Sequence, residues 1–249
     1  MKTVLITGCS SGFGLEIARY FLAQDWKVVA TMRTPRADLL PASERLRILA
    51  LDVTDAESIR QAVEAAGPID VLVNNAGVGA ASPGELVPLA TVRDIFETNT
   101  FGTIALTQAV LPQFRQRRAG VVVNVTSSVT LKALPLIAAY SASKAAVNAF
   151  TKSIAAELEP FGVRARLVLP GRALDTRFRE NAQANMHALD HEAYADLVKQ
   201  VMANLQDTST PTTRAQDVAE AVWRAATDPS APMQLPAGAD AQAWAAEVA

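Results

Sequence analysis

The chain has 249 residues, of which 50% are hydrophobic and 19% are charged, a composition typical of a globular protein with a substantial core. A formal net charge of −2 excludes the strong positive field on which non-specific binding to nucleic acids or anionic membranes depends. Its one cysteine, Cys9, excludes an internal disulfide, and no apolar run approaches the ~20 residues that span a bilayer, so we expect a cytoplasmic protein without membrane or nucleic-acid partners.

A glycine-rich turn follows the first predicted strand. Residues 4–7 form a short apolar run, Gly8-Cys9-Ser10-Ser11-Gly12-Phe13-Gly14 comes next, and residues 15–23 are predicted to be helical. Glycines let the backbone approach a pyrophosphate, and a helix N-terminus offers free N–H groups and a positive dipole. Taken alone, the unit remains open to a second interpretation, a tight turn without a ligand.

Strands and helices alternate along the rest of the chain. Further strands are predicted at residues 27–32, 46–51, 69–73, 120–125, 163–169 and 233–235, and helices at 55–66, 90–117, 138–159, 217–226 and 241–248. Thr54 is a candidate cap for the second helix, and Pro112 a candidate kink in the third. Near-continuous apolar strands separated by helices predict an α/β fold whose parallel sheet is covered on both faces.

Polar side chains stand where several of these strands end. Thr7 ends a predicted strand, and Asp52, Asn75 and Ser127 each stand within two residues after one. Ligands of open α/β sheets bind at the carboxyl ends of the strands, so these four residues are expected on one rim. A polar, helical stretch at about 172–212 interrupts the alternation, and no linker divides the chain, which favours one domain over residues 1–249.

Tyr140 and Lys144 lie four residues apart in the alanine-rich helix. This spacing places both side chains on one helix face. An ammonium group close to a phenol favours the phenolate, so we expect a lowered Tyr140 pKa and a role in proton transfer near neutral pH. The alternative is a half-exposed ring beside a solvated lysine.

With these residues in order, the chain resembles the short-chain dehydrogenase/reductase family from Thr7 to about Gly171. The shared motifs are Thr7-Gly8-x-x-x-Gly12-x-Gly14, Asp52, Asn74-Asn75-Ala76-Gly77, Asn99, Ser127, Tyr140-x-x-x-Lys144 and Pro170-Gly171. The resemblance implies a doubly wound Rossmann fold of about seven strands in the order 3-2-1-4-5-6-7, with a nicotinamide cofactor across the rim.

The same resemblance implies a catalytic role for four residues. Tyr140 would exchange a proton with the substrate oxygen, and Lys144 would hold the nicotinamide ribose and lower the tyrosine pKa. Ser127, which lies 13 residues before the tyrosine, would bind the same oxygen in preference to Ser128. Asn99 would hold a water molecule in a proton relay behind Lys144.

The expected cofactor is NADP(H), with NAD the less favoured choice. An NAD-preferring site places a carboxylate after the second strand, whereas Arg33 stands there and can pair with a 2′-phosphate. Arg33 as a solvated strand-end residue is the alternative, and Asp38 lies close in sequence. The cofactor-binding residues expected from the motifs are Gly8, Ser10, Ser11, Gly12, Phe13, Gly14, Arg33, Asp52, Val53, Asn75, Ala76, Gly77, Tyr140, Lys144, Pro170 and Gly171.

Two departures from the family pattern concern the C-terminal third. Thr176 stands one residue further from Pro170-Gly171 than the family threonine, which puts its cofactor contact in doubt. Pro236-Ala237-Gly238-Ala239-Asp240 replaces the Asp-Gly-Gly of many members, which weakens any analogy to tetramers assembled through the last strand. His187 and His191, four residues apart on a polar stretch, are interpreted as a solvated face, and no metal is expected.

The resulting hypothesis is an NADP(H)-dependent oxidoreductase that transfers a hydride between nicotinamide and an alcohol or ketone. The family pattern implies a homodimer or homotetramer. A non-catalytic dinucleotide-binding sensor is the alternative from another class, although such a protein would be expected to have replaced Tyr140 or Lys144. Phe178, Met186, Leu189 and Tyr194 either face an apolar carbonyl substrate or pack the helical stretch onto the sheet.

Overall fold

A computed structural model describes residues 1–207 and 209–248. Its sheet has seven strands, and each neighbouring pair is parallel. The strands are β1 Thr3–Ile6, β2 Lys27–Met32, β3 Leu46–Ala50, β4 Val71–Asn74, β5 Gly120–Val125, β6 Val163–Pro170 and β7 Gln234–Ala237. The order β3-β2-β1-β4-β5-β6-β7 confirms the predicted topology.

Helices connect these strands and cover both faces of the sheet. They are α1 Gly12–Ala23, α2 Ala56–Ala66, α3 Leu89–Phe96, α4 Gly102–Arg117, α5 Ala138–Leu158, α6 Phe178–Asn181, α7 Ala195–Gln206, α8 Ala215–Thr227 and α9 Ala239–Glu247. Asp55, rather than the expected Thr54, caps α2, because its Oδ1 accepts a hydrogen bond from the Glu57 N–H at 2.9 Å. Among the described residues, no helix has the length and apolar character needed to cross a membrane.

The helix expected over residues 90–117 is not uniform. A five-residue π-helical turn, Glu97–Phe101, separates α3 from α4 and contains Asn99. Pro112 lies inside α4, which continues through it to Arg117. The irregularity therefore falls at a candidate site residue and not at the proline.

Each face of the sheet packs against its own set of helices. On one face, α1 buries Phe21 against β1 and β2, and α8 buries Val222 against β5, β6 and β7. The rings of Phe21, Trp26 and Trp223 meet edge to face between them. On the other face, α2, α4 and α5 bury Leu106 and Phe114 against β1, β4 and β5. Burial of apolar side chains on both faces explains why the strands are apolar along most of their length.

A buried amide ladder fixes the helices beneath the candidate site. The Asn74 side-chain amide donates to Asn124 Oδ1 at 2.8 Å and to the Thr107 hydroxyl at 3.0 Å. The Asn124 amide in turn donates to the Thr151 hydroxyl at 2.7 Å. Because these buried groups satisfy one another, they tie β4 and β5 to α4 and α5 in one register.

Candidate active site

The glycine turn after β1 forms a narrow cradle at the start of α1. Gly8 and Gly12 have φ values of 73° and 54°, which side chains disfavour. A Cβ atom on Gly14 would overlap the Gly8 carbonyl oxygen. Ser11 precedes α1 without a side-chain capping hydrogen bond, so its hydroxyl leaves the first-turn N–H groups to another acceptor. The cradle therefore fits a pyrophosphate.

Thr7 joins the glycine turn to the loop after β4. Its hydroxyl oxygen accepts hydrogen bonds from the N–H groups of Asn75 and Ala76, both at 2.9 Å. The Asn75 amide donates back to the Thr7 carbonyl oxygen at 2.9 Å. Thr7 was not among the expected cofactor-binding residues. Its position directly before Gly8 is the feature of the sequence that indicates a role in this turn.

Tyr140 is buried at the N-terminal end of α5, and its hydroxyl is hydrogen-bonded to the Ser127 side chain. Burial raises the pKa of Tyr140 to about 12, and the Ser127 hydrogen bond opposes this rise. The expectation that Lys144 would lower this pKa is wrong for this structure, because loss of solvent around the phenol outweighs other influences. Tyr140 is therefore protonated at neutral pH.

Lys144 lies one helical turn from Tyr140 and is also buried. Its ammonium group donates to the Val125 carbonyl oxygen at 3.2 Å, and burial lowers the pKa of Lys144 to about 8. A Cβ atom on Gly77 would stand 3.2 Å from the Lys144 nitrogen and 3.1 Å from Asn99 Oδ1. Gly77, Asn99 and Lys144 thus converge behind Tyr140.

The Asn99 side chain clamps the loop after β4. It accepts from the Val78 N–H at 2.8 Å and donates to the Val78 carbonyl oxygen at 2.9 Å. It also donates to the Ser143 hydroxyl at 3.0 Å, and that hydroxyl donates to the Tyr140 carbonyl oxygen at 2.7 Å. Ser143, which sequence reasoning missed, therefore links Asn99 to the tyrosine helix. The water-holding role of Asn99 stays a prediction.

The far end of the rim carries the groups expected near the adenosine ribose. Arg33 is exposed directly after β2. Hydrogen bonds from Thr54 hold the pKa of Asp52 below its ordinary value, and the Arg33 charge acts in the same direction. The Arg36 guanidinium pairs with Asp38 at 2.6 Å, so Asp38 is engaged by Arg36.

Thr176 reaches the glycine turn despite the extra residue before it. A Cβ atom on Gly12 would lie 3.3 Å from the Thr176 Cβ. The neighbouring Asp175 carboxylate accepts from the Ala215 N–H at 3.0 Å, at the start of α8.

Residues of the 172–212 segment lie beside Tyr140 and the loop after β4. The Phe178 ring lies 5.7 Å from the Tyr140 ring, between centroids. The Tyr194 hydroxyl donates to the Glu85 carboxylate at 2.6 Å, and the backbone at Met186 pairs in parallel with the backbone at Ala81. These two contacts attach the segment to the loop after β4. Leu189 is half-buried. A small cleft beside Tyr140 is lined by Ala80, Ser82, Val87, Leu136 and Ile137.

The two histidines of this segment make hydrogen bonds of their own. His187 Nε2 lies 3.0 Å from the Thr91 hydroxyl, which makes His187 a contact between the segment and α3 instead of a solvated residue. His191 Nδ1 accepts from the Ala193 N–H at 3.3 Å. Within residues 1–207 and 209–248, no group of three or more His, Cys, Asp or Glu side chains is arranged to hold a metal ion.

Comparisons with known proteins agree with this geometry. The family model described as short chain dehydrogenase matches residues 2–187. The uncharacterized oxidoreductase YusZ of Bacillus subtilis is 37% identical over 239 residues, which cover 91% of this chain and 85% of that protein. Retinol dehydrogenase 8 of Bos taurus is 42% identical over 183 residues, but these cover 68% of this chain and 58% of that protein.

Solved structures have the same fold. A short-chain dehydrogenase from Streptomyces avermitilis superposes with a TM-score of 0.84 and 32% identity, covering 99% of this chain and 91% of that one. A short-chain dehydrogenase from Burkholderia cenocepacia in complex with NADP has a TM-score of 0.77 and 28% identity, with 99% and 93% coverage. The 3-ketoacyl-(acyl-carrier-protein) reductase from Brucella melitensis complexed with NADH has 0.78 and 25%, with 94% and 96% coverage.

Proposed function

Since the chain belongs to the short-chain dehydrogenase/reductase family, we propose that it is an NADP(H)-dependent oxidoreductase that interconverts an alcohol and a ketone. One observation carries the proposal: the Tyr140 hydroxyl is buried on the rim of the sheet and hydrogen-bonded to Ser127. Lys144 and Asn99 stand behind it, around Gly77. A buried phenol with a hydroxyl partner and a cation one turn away is suited to moving one proton.

The chemical roles follow from this arrangement. A nicotinamide cofactor supplies the hydride, and the protein has to orient the substrate and manage the proton. Tyr140, whose pKa lies well above neutral pH, donates that proton to the carbonyl oxygen during reduction. Ser127 holds the same oxygen by a hydrogen bond.

Cofactor binding is assigned to the rim in three parts. The glycine cradle, Gly8 to Gly14, takes the pyrophosphate, and the loop carrying Asn75, Ala76 and Gly77 lines its path. Arg33, exposed at the ribose end, favours NADP over NAD because a guanidinium pairs with phosphate oxygens. Of the two related structures named above, one holds NADP and the other NADH. Family membership therefore does not decide between the two cofactors, and the proposed preference for NADP rests on Arg33.

An apolar carbonyl compound is the proposed substrate, enclosed by the 172–212 segment. The small cleft beside Tyr140 is lined mostly by apolar side chains, and the Phe178 ring, which is 40% exposed, borders the same tyrosine. Apolar walls with few polar groups select apolar ligands. A relative named retinol dehydrogenase, whose name points to an apolar alcohol, supports this substrate class.

In this proposal, residues 1–249 form one cofactor-binding domain. The protein assembles as a homodimer or homotetramer and works in the cytoplasm. Cys9, the chain's lone cysteine, is buried and free, as suits a reducing compartment. The positions 208 and 249 lie outside the described residues.

Turnover with a panel of ketones tests the proposal. NADPH oxidation is followed by absorbance with short-chain, aromatic, steroidal and long-chain ketones, while fluorescence titration measures NADPH binding independently. We expect turnover with at least one apolar ketone. NADPH binding without turnover across the panel would favour the non-catalytic sensor, and the absence of NADPH and NADH binding would contradict both.

A further inference from the structure

A buried carboxylate stands beside the turn that follows β6, on the same rim of the sheet as the candidate active site. Asp240, in the first turn of α9, is 8% exposed. One of its oxygens accepts a hydrogen bond from the Arg172 backbone N–H at 2.6 Å. The other accepts from the Thr213 hydroxyl at 2.7 Å. Among the described residues, Asp240 has no ion-pair partner, so hydrogen bonds alone compensate its burial.

Thr213 extends this contact to the turn after β6. Its hydroxyl oxygen accepts from the Gly171 N–H at 2.9 Å and lies 2.8 Å from the Ala237 carbonyl oxygen. A hydroxyl carries one proton, so Ala237 and Asp240 share this donor. Asp240 and Thr213 therefore satisfy the two consecutive N–H groups of Gly171 and Arg172 after β6 ends.

The glycine at this turn is a consequence of the carboxylate. A Cβ atom on Gly171 would overlap both carboxylate oxygens of Asp240. The same carboxylate therefore excludes a side chain at position 171 and anchors the backbone there. This backbone belongs to Pro170-Gly171, which the sequence motifs place among the expected cofactor-binding residues.

Arg172 continues from this anchor into the 172–212 segment. Its guanidinium donates to the carbonyl oxygens of Asn204 and Asp207, each at 2.8 Å. It also donates to the Thr210 hydroxyl at 2.8 Å. The two carbonyl oxygens lie at the C-terminal end of α7, where the helix dipole favours a cation. One residue thus joins the turn after β6 to the end of a helix about 32 residues further on.

We propose that Asp240 and Arg172 are positioning residues that couple the Pro170-Gly171 turn to the substrate-covering segment. Asp240 holds the turn, and Arg172 transmits its position to the C-terminal end of α7. The position of the turn at the cofactor site and the position of the segment beside Tyr140 are then linked. The inference rests on the proposed function, because it takes Pro170-Gly171 as part of the cofactor site.

Three variants separate the role of Asp240 at the turn from the role of Arg172 at the end of α7. Asp240→Asn keeps the size of the side chain but leaves it one acceptor oxygen, so the Arg172 N–H and the Thr213 hydroxyl can no longer both donate to it. Thr213→Val removes the hydroxyl at nearly constant volume, and Arg172→Met removes the guanidinium while keeping a long side chain. Asp217→Asn is the matched control, because Asp217 also accepts from a backbone N–H, that of Arg214 at 2.9 Å, without touching the turn.

The measurements are NADPH affinity by fluorescence, KM and kcat for a ketone, and trypsin cleavage after the exposed residues Arg177 and Lys199 with and without NADPH. Asp240→Asn and Thr213→Val are expected to weaken NADPH binding by about tenfold, as for loss of a hydrogen bond to a buried group. Arg172→Met is expected to change NADPH affinity by less than about threefold, to raise the ketone KM by about fivefold and to abolish NADPH protection against trypsin.

Each outcome bears on the inference separately from the proposed function. If wild type turns over NADPH while all three variants match Asp217→Asn in affinity, KM and protection, the coupling is wrong and the function stands. If Arg172→Met weakens NADPH binding as much as Asp240→Asn, the two residues do not have the separate roles assigned here. If Asp240→Asn does not fold, Thr213→Val and Arg172→Met still decide the question by the same measurements.

Discussion

The ammonium nitrogen of Lys144 lies 3.2 Å from the carbonyl oxygen of Val125, the last residue of β5. Among the described residues, this contact is the one hydrogen bond that the Lys144 ammonium group makes. It offsets little of the free-energy cost of burying the charge. The pKa of Lys144 falls from the ordinary value of 10.5 to about 8, with burial as the cause. Burial of the Lys144 charge therefore lowers the free energy of unfolding, and the proposed chemistry requires this lysine all the same.

Lys144→Met is expected to stabilise the cofactor-free protein while abolishing activity. Below pH 8 the lysine is charged in both states, so the folded state bears the full cost of burial and the gain is on the order of 1–3 kcal/mol. As pH rises from 8 to 10.5 the buried lysine loses its proton first, and the gain from the variant shrinks. Urea unfolding at several pH values measures this difference. A variant less stable than wild type at pH 7 would contradict it.

Asn99→Ala is expected to lower the free energy of unfolding by about 1–3 kcal/mol, because it strands the Val78 N–H and C=O groups. It should also lower kcat, since the loop at Gly77 and the helix bearing Tyr140 lose their common partner. Denaturant unfolding and steady-state kinetics measure the two effects.

Asn148→Ala provides the control for Asn99. Asn148 is also a buried amide, on α5, but it donates to Thr130 at 2.9 Å, and among the described residues no hydrogen bond joins it to the loop at Gly77. We expect Asn148→Ala to affect stability with little change in kcat. Equal effects of both variants on kcat would argue against a specific role for Asn99.

Arg33 is expected to set the cofactor preference. Wild type should favour NADPH over NADH in kcat/KM by at least about tenfold, and Arg33→Asp should shrink or invert this ratio by replacing attraction with repulsion. Arg36→Asp is a useful comparison, because Arg36 is a neighbouring exposed arginine already paired with Asp38. Equal use of both cofactors by wild type, or no change in Arg33→Ala, would exclude Arg33 as the selector.

Local patterns were enough to predict much of the site. The strand ends at Thr7, Asp52, Asn75 and Ser127 needed only apolar runs and the rule that ligands bind at the carboxyl edge. The Tyr140–Lys144 spacing needed only helical periodicity. Such features depend on residues within a few positions of each other, which the sequence displays directly.

Other features depend on contacts between distant parts of the chain. The rise in the Tyr140 pKa comes from burial, which spacing within α5 does not reveal. The hydrogen bond from Arg172 to Asp240 joins residues 68 positions apart. The π-helical turn at Asn99 accompanies the close approach of Gly102 to Val53, another long-range contact. These three features were therefore missing from the sequence prediction.

Assembly is expected to use α4 and α5, as the family resemblance implies. Ala142, Ala145 and Ala149 are exposed along α5 and would allow a second copy to approach closely. Ala149→Arg should weaken a two-fold symmetric dimer by at least about tenfold, whereas Ala42→Arg, at another exposed alanine, should not. Sedimentation velocity at micromolar concentration measures both. A wild-type chain that is monomeric throughout would contradict the predicted dimer.

The most direct test of the central claim is kcat for Tyr140→Phe. The substitution removes the transferable proton and keeps the ring that packs against Phe178. NADPH affinity and the unfolding midpoint should remain close to wild type, because the ring supplies most of the buried surface. We expect kcat to fall by at least about a hundredfold, a loss of roughly 2.7 kcal/mol of transition-state stabilisation. Retention of more than about a tenth of the wild-type kcat would contradict Tyr140 as the proton donor.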